Sequence, residues 1–507
     1  MVENACLLVL DYDYCWLNDC MTFFSYTIFD MLRQRLDQHL AVDLRSLAVF
    51  RVGLGLTLLA DLFIRYLDVE SLYSGSGVLP LGALAKLPHL TWDWWLSINV
   101  ISDAVVWQQL CFFSGMVSAA LLTIGWKSRW IAPVMLLLLH SIQARNPWVN
   151  YAADRLLFLL LFWSCFLPLD RYWSVSKSNS ASMLKDPERL SSWGGWGLRL
   201  LPCVMYLFSV LRKSGSTWLD GTALRYVLEI DQFTAPFGIW LKIMPDFLLQ
   251  YLTWSALAIE LFAPLLLLMR GIKWRWLGIV LLLIFQCLLW CSLDLGIFPW
   301  VSTLALLPHL PFPSRRSSAK QGTESILSSE ISNLKGGHRL VGWLLVFMLI
   351  WNVLMTWNYP DSLKAQMPRW VANGISLSRM DQYWGMFSPD PMTLDGWYVI
   401  AAKMDDGSMV DLLDWDRKDI WAKPANVIEA FPGDRWKEFM MRIFDYPDQS
   451  KLWEGVIRHF QKQWESDLSN TSRVQSATVY YMLEKTTMEG VLPSEREQLW
   501  PELNEFP

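Results

Sequence analysis

A chain of 507 residues that is 53% hydrophobic, only 18% charged and −5 in net charge is not an ordinary soluble domain, where about a quarter of residues are charged. Its mild acidity also gives no footing for nucleic acid. Mean hydropathy is positive, +0.25, and the 31 tryptophans are of the type that gathers at membrane–water interfaces, ring buried and N–H wet. Together these features exclude a soluble enzyme and point to a polytopic membrane protein in contact with the lipid bilayer.

Residues 1–30 carry Glu3, Asp11 and Asp13 where a signal peptide would carry basic residues, so no cleavable signal is expected. The stretch MLRQRLDQHL that follows has the basic character of a cytoplasmic entry to a first helix, which makes Met31 an alternative start. Apolar runs then fill 46–66, 103–124, 130–147, 153–169, 196–213, 246–269, 275–292, 295–310 and 339–357. A crossing helix needs about 20 residues. The pair within 275–310 therefore reads as two short helices or as a hairpin that does not fully cross. Trp126, Trp130, Trp148, Trp274, Trp276, Trp300 and Trp357 sit near the ends of these runs.

Lys and Arg fall in every second gap: Arg33, Arg35 and Arg45; Lys127 and Arg129; Arg171, Lys177, Lys185, Arg189 and Arg199; Arg270, Lys273 and Arg275; Arg315, Arg316, Lys320, Lys335 and Arg339. Positive charge stays on the cytoplasmic side. Nine crossings with a cytoplasmic N-terminus put all five groups inside and the tail outside, in a cell (inner) membrane.

The gap 311–338 is Ser-rich and polar and reads as a flexible cytoplasmic linker. Beyond 358 the composition changes. WYVIAAKMDDGSMVDLL at 397–413 reads as strand, DDG turn and strand; 433–465 has helical character, and RVQSATVYYMLEK at 473–485 alternates as another strand. The fold class is thus an all-α membrane bundle of about eight or nine helices, followed by an extramembrane α+β or β-rich domain. Its domains are a 1–44 amino-terminal segment, the 45–310 bundle, the 311–338 linker, a last span at 339–357 and a 358–507 extracytoplasmic domain. Eight cysteines show no CxxC pair and no His/Cys spacing for a metal, so neither zinc nor a dithiol centre is expected.

Charges inside spans need a reason, because each costs about 2.5–3.5 kcal/mol at a helix centre. Arg51 and Asp61 lie ten residues apart in the first span, too far to pair, whereas Arg65 follows Asp61 by four and can. The plain reading of all three is interhelical glue facing the bundle interior. A second cluster, His140, Gln143, Arg145, Asn146, Asn150 and Asp154, reads equally as a polar loop between helices or as a binding site. Glu260 is a lone acid expected to be buried with a structural partner. Arg212 and Lys213 end the fifth span against the charge trend, in VLRKSGSTWLDGTAL. A lysine amine held out of water gives up its proton readily and can act as a base; the plain alternative is a stem in lipid with its head in water.

FRVGLGLTLLADL at 50–62, LTIGWKSRW at 122–130, YWSV at 172–175 and RKSGSTWLDG at 212–221 occur in an order that resembles the horizontally transferred transmembrane (HTTM) family. The best-understood member of that family is the vitamin K-dependent gamma-carboxylase. LGIFPWVS at 295–302 and WGMFSPDP with DGWYV at 384–399 resemble the bacterial branch. The resemblance covers about residues 40–413. It implies that Lys213 is the base that deprotonates a reduced quinone, with Trp218 and Gly221 fixing the match. The quinone product would then remove a glutamate gamma-proton for carboxylation. The family's functional histidine has no counterpart in NPWVNYAADR at 146–155, where Tyr151 and Asp154 are the nearest polar residues. The tail is also shorter than the carboxylase's peptide-gripping region.

Two functions follow as expectations. The first is a quinol-dependent carboxylase or oxygenase acting on a peptide or protein at the outer face. Lys213 would be catalytic, and His140, Arg145, Asn150, Asp154 and Trp218 would bind substrate in one cavity that opens sideways to lipid. The second is a non-catalytic assembly or export partner of a secreted peptide or protein. It requires Lys213 to lie in lipid or water without convergent polar groups, and an apolar docking patch on the tail.

Overall fold

Once water is absent, a backbone must pair its own N–H and C=O groups, and long apolar runs do so as helices. The computed structural model describes residues 39–86, 96–176, 189–312, 326–328, 335–356, 368, 374, 377–380, 382–445, 451–467, 470, 472–487 and 489–503. The questions of a signal segment and of Met31 lie outside the described residues. The bundle comprises α1 (Leu44–Leu67), α2 (Val105–Ile124), α3 (Ser128–Arg145), α4 (Ala152–Ser164), α5 (Trp193–Arg212), α6 (Asp246–Leu267), α7 (Ile272–Ser292), α8 (Phe298–Leu304) and α9 (Lys335–Thr356). Among the described residues, five helices (α1, α2, α5, α6 and α7) are long and apolar enough to cross a membrane. Their outward faces carry Phe63, Leu110, Phe113, Phe262 and Ile284, as a lipid-facing surface requires. The chain is therefore a multi-pass membrane protein. Trp126, Trp130, Trp274, Trp276 and Trp300 are exposed, whereas Trp148 is buried in the turn Pro147–Val149. Trp357 lies outside the described residues.

The run at 295–310 is not a regular spanning helix. Only seven residues form α8, and a 3-10 turn follows at Leu307–His309; Pro308 has no N–H to extend the ladder. The segment starts where the Ile297 N–H donates to the Tyr151 hydroxyl at 2.9 Å. It ends where the Ser46 hydroxyl donates to the Pro308 carbonyl at 3.4 Å. Val301, Ser302, Leu304, Ala305 and Leu306 between them are all buried. Irregular backbone at membrane depth is tolerated where protein surrounds it.

Helices α1 and α2 approach closely at Gly55. A Cβ there would stand 2.1 Å from Thr123 Oγ1 and 2.9 Å from the Ala119 carbonyl. Small residues let apolar helices come together where lipid supplies no hydrophobic drive. Gly55→Val should therefore force the two helices apart and cost about 1–3 kcal/mol, read as a lower unfolding temperature in detergent. An unchanged temperature would mean that the contact does not form.

At one end of the bundle two buried arginines hold loop carbonyls. Arg51 donates to the carbonyls of Leu169 at 3.0 Å, Tyr172 at 3.2 Å and Trp173 at 2.5 Å. Arg199 donates to His39 and Ala41, both at 2.8 Å. Nearby, Arg189–Ser191 pairs antiparallel with Val42–Asp43 and parallel with Ile326–Ser328. The segment expected to be a flexible linker contributes a strand at Ile326–Ser328; 313–325 and 329–334 lie outside the described residues.

The carboxy-terminal domain is built from β1 (Leu394–Met404), β2 (Met409–Asp411), α10 (Asp434–Asp445), α11 (Leu452–Ser466), β3 (Val474–Thr487), β4 (Gly490–Val491) and β5 (Glu495–Leu503). Strand β1 lies between β2 and β3, and β3 also pairs with β4 and β5, all antiparallel. Apolar faces of both helices, carrying Trp436, Phe439, Trp453 and Phe460, close the core. Strand β5 has no sequence signature: EREQLWPEL is mostly polar, and Pro501 fits only an edge position.

Candidate functional site

Helix α5 ends at Arg212 because Lys213, Ser214 and Gly215 leave the helical path, and the Lys213 N–H closes the last turn on the Val210 carbonyl at 3.1 Å. This aims the Lys213 side chain back into the bundle. Its residue is only 9% exposed, and Nζ donates to Glu260 Oε2 of α6 at 2.5 Å. The ammonium also lies 4.7 Å from the centre of the Trp218 ring, a favourable cation–π placement in a desolvated setting. Trp218 is fixed in turn by its indole N–H, which donates to the Phe387 carbonyl at 2.9 Å.

Lys213, Trp218 and Glu260 line a cavity of about 130 Å³ with largely apolar walls, together with Tyr206, Thr253 and Gln286. Gln286 donates to the Tyr206 hydroxyl at 2.7 Å, while its own buried Oε1 has no hydrogen-bond partner among the described residues. Tyr383–Phe387, from the segment leading into the carboxy-terminal domain, roof this chamber. The roof is held by Arg212, whose guanidinium stacks 3.9 Å from the Tyr383 ring centre. Asp390 adds to the hold by accepting from the Thr217 N–H at 3.0 Å and hydroxyl at 2.5 Å.

The 140–154 cluster is spread over different tasks. His140 is buried beside the Phe158 ring, with centres 6.2 Å apart. Arg145 donates to the Leu79 carbonyl and to Asp103, each at 2.9 Å. Neither lines the chamber. Asn150 and Asp154 line a second cavity of about 430 Å³. It shares Ala152 and Tyr383–Met386 with the Lys213 chamber, so the two adjoin. Of the six residues singled out in the sequence, the fold brings Lys213 and Trp218 into direct contact.

Asp154 belongs to a buried charge quartet. It pairs with Arg65 and, at 2.6 Å, with Arg435 of α10; Arg435 also reaches Asp61 at 2.6 Å, and Arg65 meets Asp61 at 3.0 Å. The Asp61–Arg65 pair is the one that the four-residue spacing anticipates. Burial opposes charge on Arg435, but Asp154 and Asp61 outweigh it and raise its pKa well above the ordinary value. These four side chains seat the carboxy-terminal domain on the bundle.

A third cavity, about 330 Å³, is lined by Tyr151, Asp294, Asp434, Lys437 and Glu438. Lys437 donates to Asp294 at 2.7 Å, and burial pushes the Glu438 carboxyl up to about 7. Among the described residues no group of three or more His, Cys, Asp or Glu side chains is placed to hold a metal ion.

Burial likewise pushes Asp395 of β1 up to about 7. Between pH 4 and 7 the folded chain keeps a proton there that the unfolded chain has released, so stability falls as pH rises through that window and is level above it. Asp395→Asn, which stays neutral, should remove this contribution and raise the unfolding temperature at pH 8 but not at pH 4. An equal effect at both values would contradict it.

Residues 39–311 match the family model described as HTTM domain, more than half of the chain. Searches of curated proteins and of solved structures return no match.

Proposed function

Because the chain belongs to the HTTM domain family, we propose that it is a membrane enzyme in which Lys213 accepts a proton from a reduced quinone, in the manner that the resemblance to gamma-carboxylase implies. The observation that carries this reading is the Lys213–Glu260 pair, 2.5 Å apart inside a mostly apolar chamber. The residues present fit a quinol: apolar walls suit its ring, and the partnerless Gln286 Oε1 is an acceptor for a hydroxyl proton. When bound, a quinol would supply an acidic hydroxyl and reducing equivalents for oxygen.

The chain's own groups divide the remaining work. Lys213 accepts a proton only as the free amine, and Glu260 is the adjacent group to which its own proton can pass. The Trp218 face holds the amine in place, and the Tyr383–Phe387 roof keeps bulk water from it. Glu260 and Trp218 converge on Lys213, and Gln286 lines the same chamber, which favours this reading over the assembly partner, where the lysine would stand in lipid or water. Alternation of the basic groups supports nine passes, the eighth of them the broken 295–310 segment, with a cytoplasmic N-terminus. The chamber and the carboxy-terminal domain then face outward, in a bacterial inner membrane, towards a peptide or protein substrate.

The test is oxygen uptake by purified protein on addition of a reduced menaquinone. Saturable, quinol-dependent uptake is expected, with Gln286→Leu raising the half-saturating quinol concentration about tenfold. No uptake by the intact protein would sink the reading.

A further inference from the structure

We propose that the connection between α5 and α6 is an interfacial membrane element rather than a loop in water, with the headgroup–acyl boundary of the bilayer as its partner. Its core is the short helix Pro236–Lys242 and the turn that leads into α6. Ile239, Trp240 and Ile243 are exposed among the described residues, Ile243 by 76%. Phe247, Tyr251 and Trp254, also exposed, continue from Ile243 at the three- and four-residue spacing that keeps side chains on one helix face. Leu219 joins this stripe, because the Trp254 indole N–H donates to its carbonyl at 3.2 Å and its own side chain is exposed. The lipid-facing surface of α6 thus runs unbroken onto the connection.

Charge is disposed to match. Lys242, the one cation in PFGIWLKIMP at 236–245, pairs with Glu229 at 3.2 Å and Asp231 at 3.1 Å, all three largely covered. Arg225 and Asp246, which are more exposed, pair with each other. A soluble surface carries its apolar residues scattered singly; a continuous apolar face with its charges paired belongs at the membrane boundary. Depth follows from length. The 22 residues of α6 rise about 33 Å, enough to cross a hydrocarbon core of about 30 Å unaided. An element at the first turn of α6 therefore lies at the interface, where Trp240 is favoured. On its covered side, Leu241 and Leu249 pack with Val227 and Leu228, and Leu224 and Val227 also line the Lys213 chamber. The connection so borders that chamber on one side and lipid on the other, whatever chemistry Lys213 performs.

The experiment labels the full chain in phosphatidylcholine nanodiscs from both phases, with mass spectrometry locating each modification. Hydroxyl radicals attack from water, and a bilayer-dissolved diazirine, photolysed to a carbene, attacks from lipid. Trp240, Ile243 and Phe247 should take the carbene label as Phe262 and Ile284 do, and should be oxidised severalfold less than Met409 and Trp415 of the carboxy-terminal domain. Ile243→Asp should raise oxidation of Trp240 severalfold by drawing water to the boundary. Oxidation of Trp240 and Ile243 at the level of Trp415, without carbene label, would make the connection a loop in water and overturn the proposal. Protection from both reagents would overturn it too, since another protein surface or a second copy of the chain would then cover this face.

Discussion

Replacing Arg435 by methionine should be the most destabilising single substitution in the protein. Its guanidinium lies between Asp61 and Asp154 at 2.6 Å from each, with all three buried. Removing one member of such a network strands a buried charge and costs about 3–5 kcal/mol. Asp61→Asn in the same chain restores neutrality around Arg65, so the double variant should recover part of the loss. Thermal unfolding in detergent, with proteolysis of the carboxy-terminal domain as a second readout, measures both. A variant as stable as the parent would mean that this domain is not seated on the bundle through the quartet.

Lys213→Met should lower quinol-dependent turnover by about 10²–10⁴-fold, the usual contribution of a positioned proton acceptor, with little change in quinol binding. It also leaves Glu260 buried without its partner, so unfolding temperature must be followed in parallel. Glu260→Gln separates the roles. It keeps a hydrogen-bond acceptor 2.5 Å from the amine but removes the charge that holds it, and should change the pH profile of turnover as well as its rate. Loss of binding rather than turnover in Lys213→Met would recast the lysine as a ligand anchor.

Much of the bundle is legible in the sequence because lipid imposes an apolar requirement on whole segments. Thus α1, α2, α5, α6 and α7 lie where apolar runs predict them. The 295–310 passage is flagged in the sequence only by its shortness; that most of its apolar residues, Val301 and Leu304–Leu306 among them, face protein is not legible, because composition alone does not separate lipid-facing from protein-facing residues. The end of α5 is local and can be read from RKSGSTWLDG. That Glu260 is the partner of Lys213 depends on how α5 packs against α6, 47 residues apart. Gln286 is hidden within an apolar run, and Arg435 within an amphipathic helix whose other arginine, Arg442, is half-exposed. Arg51 and Asp61 are recognisable as interior charges, yet Arg51's partners come from residues 169–173 and Asp61's second partner, beside Arg65, is Arg435. Asp154 stands in the sequence as a candidate through the 140–154 polar cluster and as one of the polar residues nearest the stretch that resembles the carboxylase's histidine loop; in the fold its carboxylate pairs with two arginines.

The central claim, that Lys213 is the working group of a quinol pocket, is tested most directly by labelling. Purified protein is treated with an amine-selective reagent across a series of reduced menaquinone concentrations, and modification of each lysine is counted by mass spectrometry. The account predicts saturable protection at Lys213, with surface lysines such as Lys462 labelled equally throughout. Labelling of Lys213 that is indifferent to quinol would contradict it.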